Sequence, residues 1–223
     1  MIEIAHRGYS YLEKDNTINA FKSAIEAQFD MIETDIQLCK SGEIIVYHDI
    51  YIESNLISDL TYSQIISYDK TIITINELFK LVDINHMKLY LDIKGDERII
   101  DVLLKFIKNN VFNFKNLYIA SFNRMHLELL KNTNLGLKLG FITDNKFIYE
   151  DSFNSKELDI LMEGLHFISI DWVMLEQNII NYCHSRNKLV FSYTLDTIKK
   201  LKFFIKYPID GIITNLKIKQ VKV

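Results

Sequence analysis

Seven residues stand out because their types and spacing could do chemistry together. Glu33 and Asp35 are two apart, so on a β-strand both carboxylates point to the same side. Asp92 lies in a second strand-like run, Leu91-Asp92-Ile93-Lys94. Converging carboxylates repel unless a cation sits among them. Three acids with open positions suit a hard divalent ion such as Mg²⁺ or Ca²⁺, whereas zinc prefers His and Cys. The same acids could instead pair with Arg7 or Lys94, or be solvated in loops. His6 and His48 each end a strand-like run beside a polar partner. Histidine titrates near 6.5 when unperturbed, which suits proton transfer at neutral pH. Arg7 offers a planar cation for two phosphate oxygens, and Gly8 would let the backbone approach a ligand or take positive φ. His86, His126, His166 and His184 have no such company and read as structural.

Elements that could gather these residues recur along the whole chain. Short β-branched runs span Ile2–Ala5, Met31–Ile36, Lys88–Ile93, Leu117–Ser121, Leu137–Ile142, Phe167–Asp171, Leu189–Thr194 and Gly211–Thr214. Between most of them lie stretches with apolar residues at helical spacing, such as Ile18, Phe21, Ala24 and Ile25, or Val102, Phe106 and Ile107. Asn16-Thr17, Ser121-Phe122-Asn123 and Asp196-Thr197 supply helix caps. Strand–helix alternation repeated in this way means a parallel sheet, closed as a barrel or open and doubly wound. One further strand, Glu43–His48, follows too soon after Met31–Ile36 for a parallel crossover. It must fold back as an antiparallel hairpin, which leaves eight parallel strands, the number of a closed (β/α)₈ TIM barrel. A two-residue Ser41-Gly42 loop would set Lys40 opposite Glu43 and Asp35 opposite His48. In such a barrel the site forms at the carboxyl ends of the strands, where His6, Asp35, His48, Asp92, Ser121, Phe122, Tyr193 and Asn215 all fall. No glycine-rich loop follows the first strand, which disfavours an open nucleotide-binding fold.

Order and spacing together resemble the glycerophosphodiester phosphodiesterase family. His6-Arg7-Gly8, Asp15-Asn16-Thr17 and Ala20-Phe21 are similar to its His-Arg-Gly, Glu-Asn-Thr and Ala-Phe. Glu33-Thr34-Asp35-Ile36, Ser41-Gly42 and Val46-Tyr47-His48-Asp49 resemble its Glu-x-Asp, turn and His-Asp elements. Ile75-Asn76-Glu77-Leu78, Leu91–Lys94, Ala120-Ser121-Phe122 and Asp210–Asn215 resemble later helix starts and strand ends. The resemblance implies a divalent metal, Mg²⁺ or Ca²⁺, held by Glu33, Asp35 and Asp92. It implies His6 and His48 as the acid–base pair in either order, Arg7 and Lys94 on phosphate, and Ser121, Phe122 and Tyr193 at the substrate. The reaction implied converts a small glycerophosphodiester to glycerol 3-phosphate and an alcohol, through attack by the substrate's own 2-hydroxyl. The chain departs from the pattern in four places. Asp15 and Asp92 stand where glutamates are usual, Tyr193 stands for a tryptophan, and the segment from Ile50 to Ile73 lacks the usual Arg-Thr and Gly signals, so any lid is small. Asp92 keeps open a catalytically weak or silent barrel that binds phosphodiesters or a protein partner. A phospholipase D-like enzyme on lysophospholipid or sphingomyelin is the other alternative.

Composition bounds the remainder. A length of 223 residues favours one domain over 1–223. A net charge of −3 without long runs of like charge argues against a nucleic-acid or anionic-membrane surface, so phosphate chemistry must use local cations. Two cysteines, Cys39 and Cys183, make no disulfide framework. The N-terminus reads as a strand rather than a signal peptide, and no apolar run reaches the roughly 18 to 20 residues of a membrane span. The expectation is a soluble cytoplasmic enzyme of unknown oligomeric state.

Overall fold

Eight short strands buried on both faces must close on themselves or leave an apolar edge in water, and here they close. The computed structural model describes residues 1–110, 114–133, 135–144 and 155–218. In chain order the elements are β1 (Ile2–Ala5), α1 (Ile18–Glu26), β2 (Met31–Leu38), β3 (Ile44–Val46), β4 (Tyr51–Ile52), β5 (Asn55–Leu56), α2 (Tyr62–Tyr68), α3 (Ile75–Leu81), β6 (Lys88–Ile93) and α4 (Arg98–Lys108). There follow β7 (Leu117–Ser121), α5 (Arg124–Lys131), β8 (Lys138–Thr143), α6 (Ser155–Met162), β9 (Phe167–Asp171), α7 (Gln177–Ser185), β10 (Leu189–Tyr193), α8 (Ile198–Phe204) and β11 (Gly211–Thr214). Strands β1, β2 and β6 to β11 pair in parallel around a closed ring, sealed where Ile4 faces Met31 and Ala5 faces Thr214. This is the TIM barrel the sequence predicts. Its helices start where expected, with the Thr17, Asn123 and Thr197 side chains capping α1, α5 and α8.

Inside the ring, aromatic side chains fill the space. Tyr90, Tyr118, Phe167 and Phe191 pack with Ile4, Met31, Ile142 and Ile213, with the Phe167 and Phe191 rings 5.1 Å apart. Gly140 makes room for this stack, because a Cβ there would lie 2.2 Å from the Phe167 ring. The helices pack outside against the larger apolar core.

The hairpin return after β2 is present, but its register differs from the expected one. Ile36 pairs with Val46 and Leu38 with Ile44, so Asp35 faces Tyr47 rather than His48. The loop has three residues, Lys40-Ser41-Gly42, because Cys39 and Glu43 still pair and Gly42 takes φ +97°. A left-handed third residue is the usual solution for three-residue hairpins, and one residue of slip turns every later side chain to the other face. His48 nevertheless reaches the barrel mouth, since the chain leaves the ladder after Val46. Gln37 holds that exit: its Nε2 donates to Tyr47 O at 2.8 Å and to Asp49 O at 2.9 Å. The short segment that follows folds into β4, β5 and α2 over a small core of its own, including Ile45, Ile52, Ile57 and Ile65.

The tight Phe167 contact gives a stability test. Gly140→Ala should cost about 1–3 kcal/mol by overpacking, read as a lower midpoint in urea unfolding; an unchanged midpoint would mean the aromatic stack yields freely.

Candidate active site

Strands β2 and β6 run parallel with Asp35 directly beside Asp92, and Glu33 lies one inward-facing position below on β2. Glu33, Asp35 and Asp92 are buried at 4%, 2% and 6% exposure, and one carboxylate oxygen from each lies within 4.8 Å of the others. Two cations share this space. Lys94 Nζ sits 2.6 Å from Asp92 Oδ2 and 3.2 Å from Asp35 Oδ1, while Arg7 Nε is 3.3 Å from Asp35 Oδ2. The expected alternative, pairing of the acids with Arg7 and Lys94, is therefore realised alongside the acid cluster. Three carboxylates against two cations leave a deficit of positive charge. Burial raises the Glu33 carboxyl well above its ordinary range, and Asp35 and Asp92 raise it further. Burial pushes the Asp92 carboxyl up to about 7 even though Lys94 opposes it. At Asp35 burial also works upward, but Lys94 and Arg7 overcome it and hold that carboxyl below its ordinary value. Asp92 Oδ1 is buried and has no hydrogen-bond partner among the described residues. An unpaired, desolvated carboxylate oxygen beside two other carboxylates is a poor resting arrangement and a good donor set for a hard divalent cation.

The β1–α1 loop supplies the next layer. Gly8 has φ +80°, and a Cβ there would meet the Ala20 backbone at 2.7 Å, so only glycine lets this loop lie against α1. Arg7 is itself left-handed at φ 54°, which turns its amide N–H onto Glu33 Oε2 at 2.8 Å. Its Nη1 donates to Asp15 Oδ2 at 2.9 Å. Asn16, also left-handed at φ 57°, donates from Nδ2 to Asp35 Oδ2 at 2.9 Å and accepts from Thr34 Oγ1 at 2.7 Å. Asp35 is thus held from three sides, by Asn16, Arg7 and Lys94.

The two histidines face this cluster from different elements. His6 follows β1, and its Nδ1 lies 2.7 Å from Asn215 Oδ1 at the end of β11. An amide oxygen only accepts, so the proton sits on Nδ1 and Nε2 keeps its lone pair. Burial, then the Arg7 charge, lowers the His6 pKa to about 4. His48 is more open, with Nδ1 2.7 Å from Asp49 Oδ1. His6, Arg7, Glu33, Asp35, His48, Asp92, Lys94, Phe122 and Tyr193 all line one cavity of about 150 Å³ at the barrel mouth. Phe122 and Tyr193 stand edge to face at 6.3 Å on one wall, and Lys94 Nζ lies 5.4 Å from the Phe122 ring.

Ser121 corrects the sequence expectation. It does not line the cavity. Its hydroxyl points inward to Ile93 O and His126 Nδ1, both at 3.0 Å, and accepts from Asn123 N–H. The last residue of a strand entering a capped helix is needed for that turn, and this outweighs its place at the mouth. His86, His126, His166 and His184 also stay outside the cavity. Sequence reasoning missed three positioning residues: Asn16, Gln37 and Asn215. Asn16 reads first as a helix-start residue and Asn215 as a strand end. Gln37 shares the odd-numbered face of β2 with Glu33 and Asp35, and that parity was the available signal.

The sequence matches the glycerophosphoryl diester phosphodiesterase family over residues 6–216. It is 28% identical to a glycerophosphodiester phosphodiesterase of Caldanaerobacter subterraneus subsp. tengcongensis, across 95% of this chain and 93% of that one. The crystal structure of a glycerophosphodiester phosphodiesterase from Thermotoga maritima superposes with a TM-score of 0.79 at 27% identity, covering 96% and 94% of the two chains. An Oleispira antarctica phosphodiesterase, solved with the product sn-glycerol-3-phosphate, shares the fold with a TM-score of 0.84 at 18% identity, covering 99% and 96%. A barrel that carries its acids and histidines in this order, matched over nearly its whole length, belongs to the glycerophosphoryl diester phosphodiesterase family.

Proposed function

We propose that this chain, acting as one domain, is a divalent-cation-dependent hydrolase of small glycerophosphodiesters that uses His6 and His48 for proton transfer. The observation that carries this reading is the buried Glu33–Asp35–Asp92 cluster, short of one positive charge and with Asp92 Oδ1 unpaired, in the same cavity as both histidines. The product named in the Oleispira structure is the one this reaction would release. Glu33, Asp35 and Asp92 would hold Mg²⁺ or Ca²⁺, which supplies electrostatic stabilisation of charge on the phosphoryl oxygens and on the attacking hydroxyl.

The chain's own groups divide the remaining work. His6 is neutral at working pH with Nε2 free, so it suits the base that takes the proton of the substrate's 2-hydroxyl. His48, whose Nδ1 is taken by the Asp49 carboxylate, keeps Nε2 for the substrate and is assigned the acid. It would protonate the departing head-group oxygen as the 2-oxygen bonds to phosphorus. Water then opens the cyclic phosphate with the proton roles reversed, giving glycerol 3-phosphate. Lys94 has three donors, two of them spent on Asp35 and Asp92, so one remains for a phosphoryl oxygen. Arg7 adds its guanidinium on the opposite side. Phe122 and Tyr193 shape the wall against which the alcohol would lie.

Three outcomes test the proposal. EDTA should abolish glycerol 3-phosphate release from glycerophosphocholine or glycerophosphoethanolamine, and Mg²⁺ or Ca²⁺ should restore it; full turnover in chelator removes the cation. His6→Ala and His48→Ala should each lower kcat by roughly two orders of magnitude or more, measured with the same assay, and wild-type rates from either would end its assigned role. The third uses no substrate. The Asp92 carboxyl is held near 7, above its unfolded value, so the cation-free protein keeps that stabilisation in acid and loses it as pH rises through about 7. A bound cation must displace this proton. Added Mg²⁺ or Ca²⁺ should therefore raise Tm more at pH 8 than at pH 6, and equal gains would mean the cation binds elsewhere.

A further inference from the structure

Beside the barrel mouth, apolar surface lies open among lysines. Helix α8 buries Leu201 and Phe204 against the barrel but leaves Ile198 and Phe203 more than half exposed, and Val173, just after β9, is 65% exposed. Val173 and Phe203 line a groove of about 780 Å³ with Trp172 and Tyr207. Phe203 packs edge to face on Phe204 at 5.0 Å, and Trp172 on Phe204 at 5.9 Å, so the floor is a fixed aromatic layer. Lys199, Lys200, Lys202 and Lys206 rim the groove. Lys200 is committed: it pairs with Asp196 at 2.6 Å and lies 4.5 Å from the Trp172 ring. Lys199, Lys202 and Lys206 are exposed and form no ion pair among the described residues. The chain carries −3 overall, so this basic cluster is a local feature that the whole-chain balance hides.

We infer that this groove docks the protein on the surface of an anionic phospholipid bilayer. Val173, Ile198 and Phe203 enter the interfacial layer, and Lys199, Lys202 and Lys206 meet lipid phosphates. Three observations favour a bilayer over a protein partner. The free charges are all of one sign, matching the negative potential of an acidic leaflet. They are lysines, which are depleted at protein interfaces but suit a membrane surface, because their stems lie along apolar groups while their heads stay in water. One end of the groove also lies at the catalytic end of the barrel, since Trp172 directly follows β9 and Thr197 caps α8 after β10, and from there the groove follows α8 to Lys206 and Tyr207. The β1–α1 loop at that end exposes Tyr11 and Leu12 as well, at 61% and 59%. No helix among the described residues is long and apolar enough to cross a membrane, so attachment would be peripheral.

Co-sedimentation with lipid vesicles tests this without reference to hydrolysis. The protein should pellet with phosphatidylglycerol vesicles at low ionic strength, pellet far less with phosphatidylcholine vesicles, and be released by salt. The double variant Lys199→Glu/Lys202→Glu should weaken binding by about tenfold or more, and Phe203→Ser should weaken it several-fold. Both should leave glycerophosphocholine turnover unchanged, because none of these residues lines the catalytic cavity. Failure of the wild type to pellet with phosphatidylglycerol, or pelleting that ignores these substitutions, overturns the inference. So does a dimer in sedimentation velocity that Phe203→Ser dissociates, which would make the groove an interface between copies.

Discussion

Glu33, Asp35 and Asp92 cannot share a desolvated corner of the barrel unless positive charge is brought to them, and much of the surrounding structure answers that demand. Removing a carboxylate from water is costly, and a buried charge survives only when paired and hydrogen-bonded. Arg7 and Lys94 meet two of the three charges, and Asn16 satisfies the remaining side of Asp35. Even then the balance is one cation short. Burial, reinforced by the neighbouring carboxylates, therefore holds the Glu33 and Asp92 carboxyls above their ordinary range. The backbone is shaped by the same demand. Arg7 and Asn16 both adopt left-handed conformations in the β1–α1 loop, an arrangement tolerated where the surrounding bonds over-determine it.

The histidines acquire different characters from how each is anchored. His6 is pinned to a neutral amide, Asn215, and sits half-buried beside the Arg7 guanidinium, and desolvation with that charge makes it resist protonation. His48 is pinned to a carboxylate on a chain segment that has just left the β2–β3 ladder. Two residues of one type, facing one cavity, thus stand in different surroundings, His6 enclosed beside a guanidinium and His48 more open beside a carboxylate. Gln37 belongs to this arrangement although it touches neither histidine. By bonding the carbonyls on both sides of His48 it sets where that residue leaves the hairpin, which the register of the ladder does not do.

The barrel was legible because its signals are periodic and repeated: eight β-branched runs, helix caps at Thr17, Asn123 and Thr197, and one connection too short to be parallel. The acid cluster was legible from the spacing of Glu33 and Asp35 on one strand. What escaped was set by single backbone conformations that the side-chain pattern does not encode. Gly42 at φ +97° adds one residue to the hairpin loop, and the facing partner of Asp35 changes from His48 to Tyr47. Ser121 occupies the right height for a ligand-binding residue, but the turn into α5 needs its hydroxyl. Asn16 and Asn215 looked like helix and strand ends because their side-chain bonds cross from one element to another, over 19 and 209 residues of sequence respectively. Such long-range pairings have no local signature.

Asp92 is the departure from the family pattern that most affects the chemistry, since a glutamate would reach one methylene further. The β2–β6 register places Asp92 directly beside Asp35, and a carboxylate oxygen of the shorter residue still lies within 4.8 Å of those of Asp35 and Glu33. Its two oxygens are also differentiated: Oδ2 is taken by Lys94, while Oδ1 is buried with no hydrogen-bond partner among the described residues. Buried ionic groups rarely stabilise a fold by themselves, so stability alone does not account for the cluster as a whole. All three acids are retained, together with both cations and two histidines in one cavity. That combination gives the fold no evident gain in stability, and it sets charged and titratable groups side by side in one cavity.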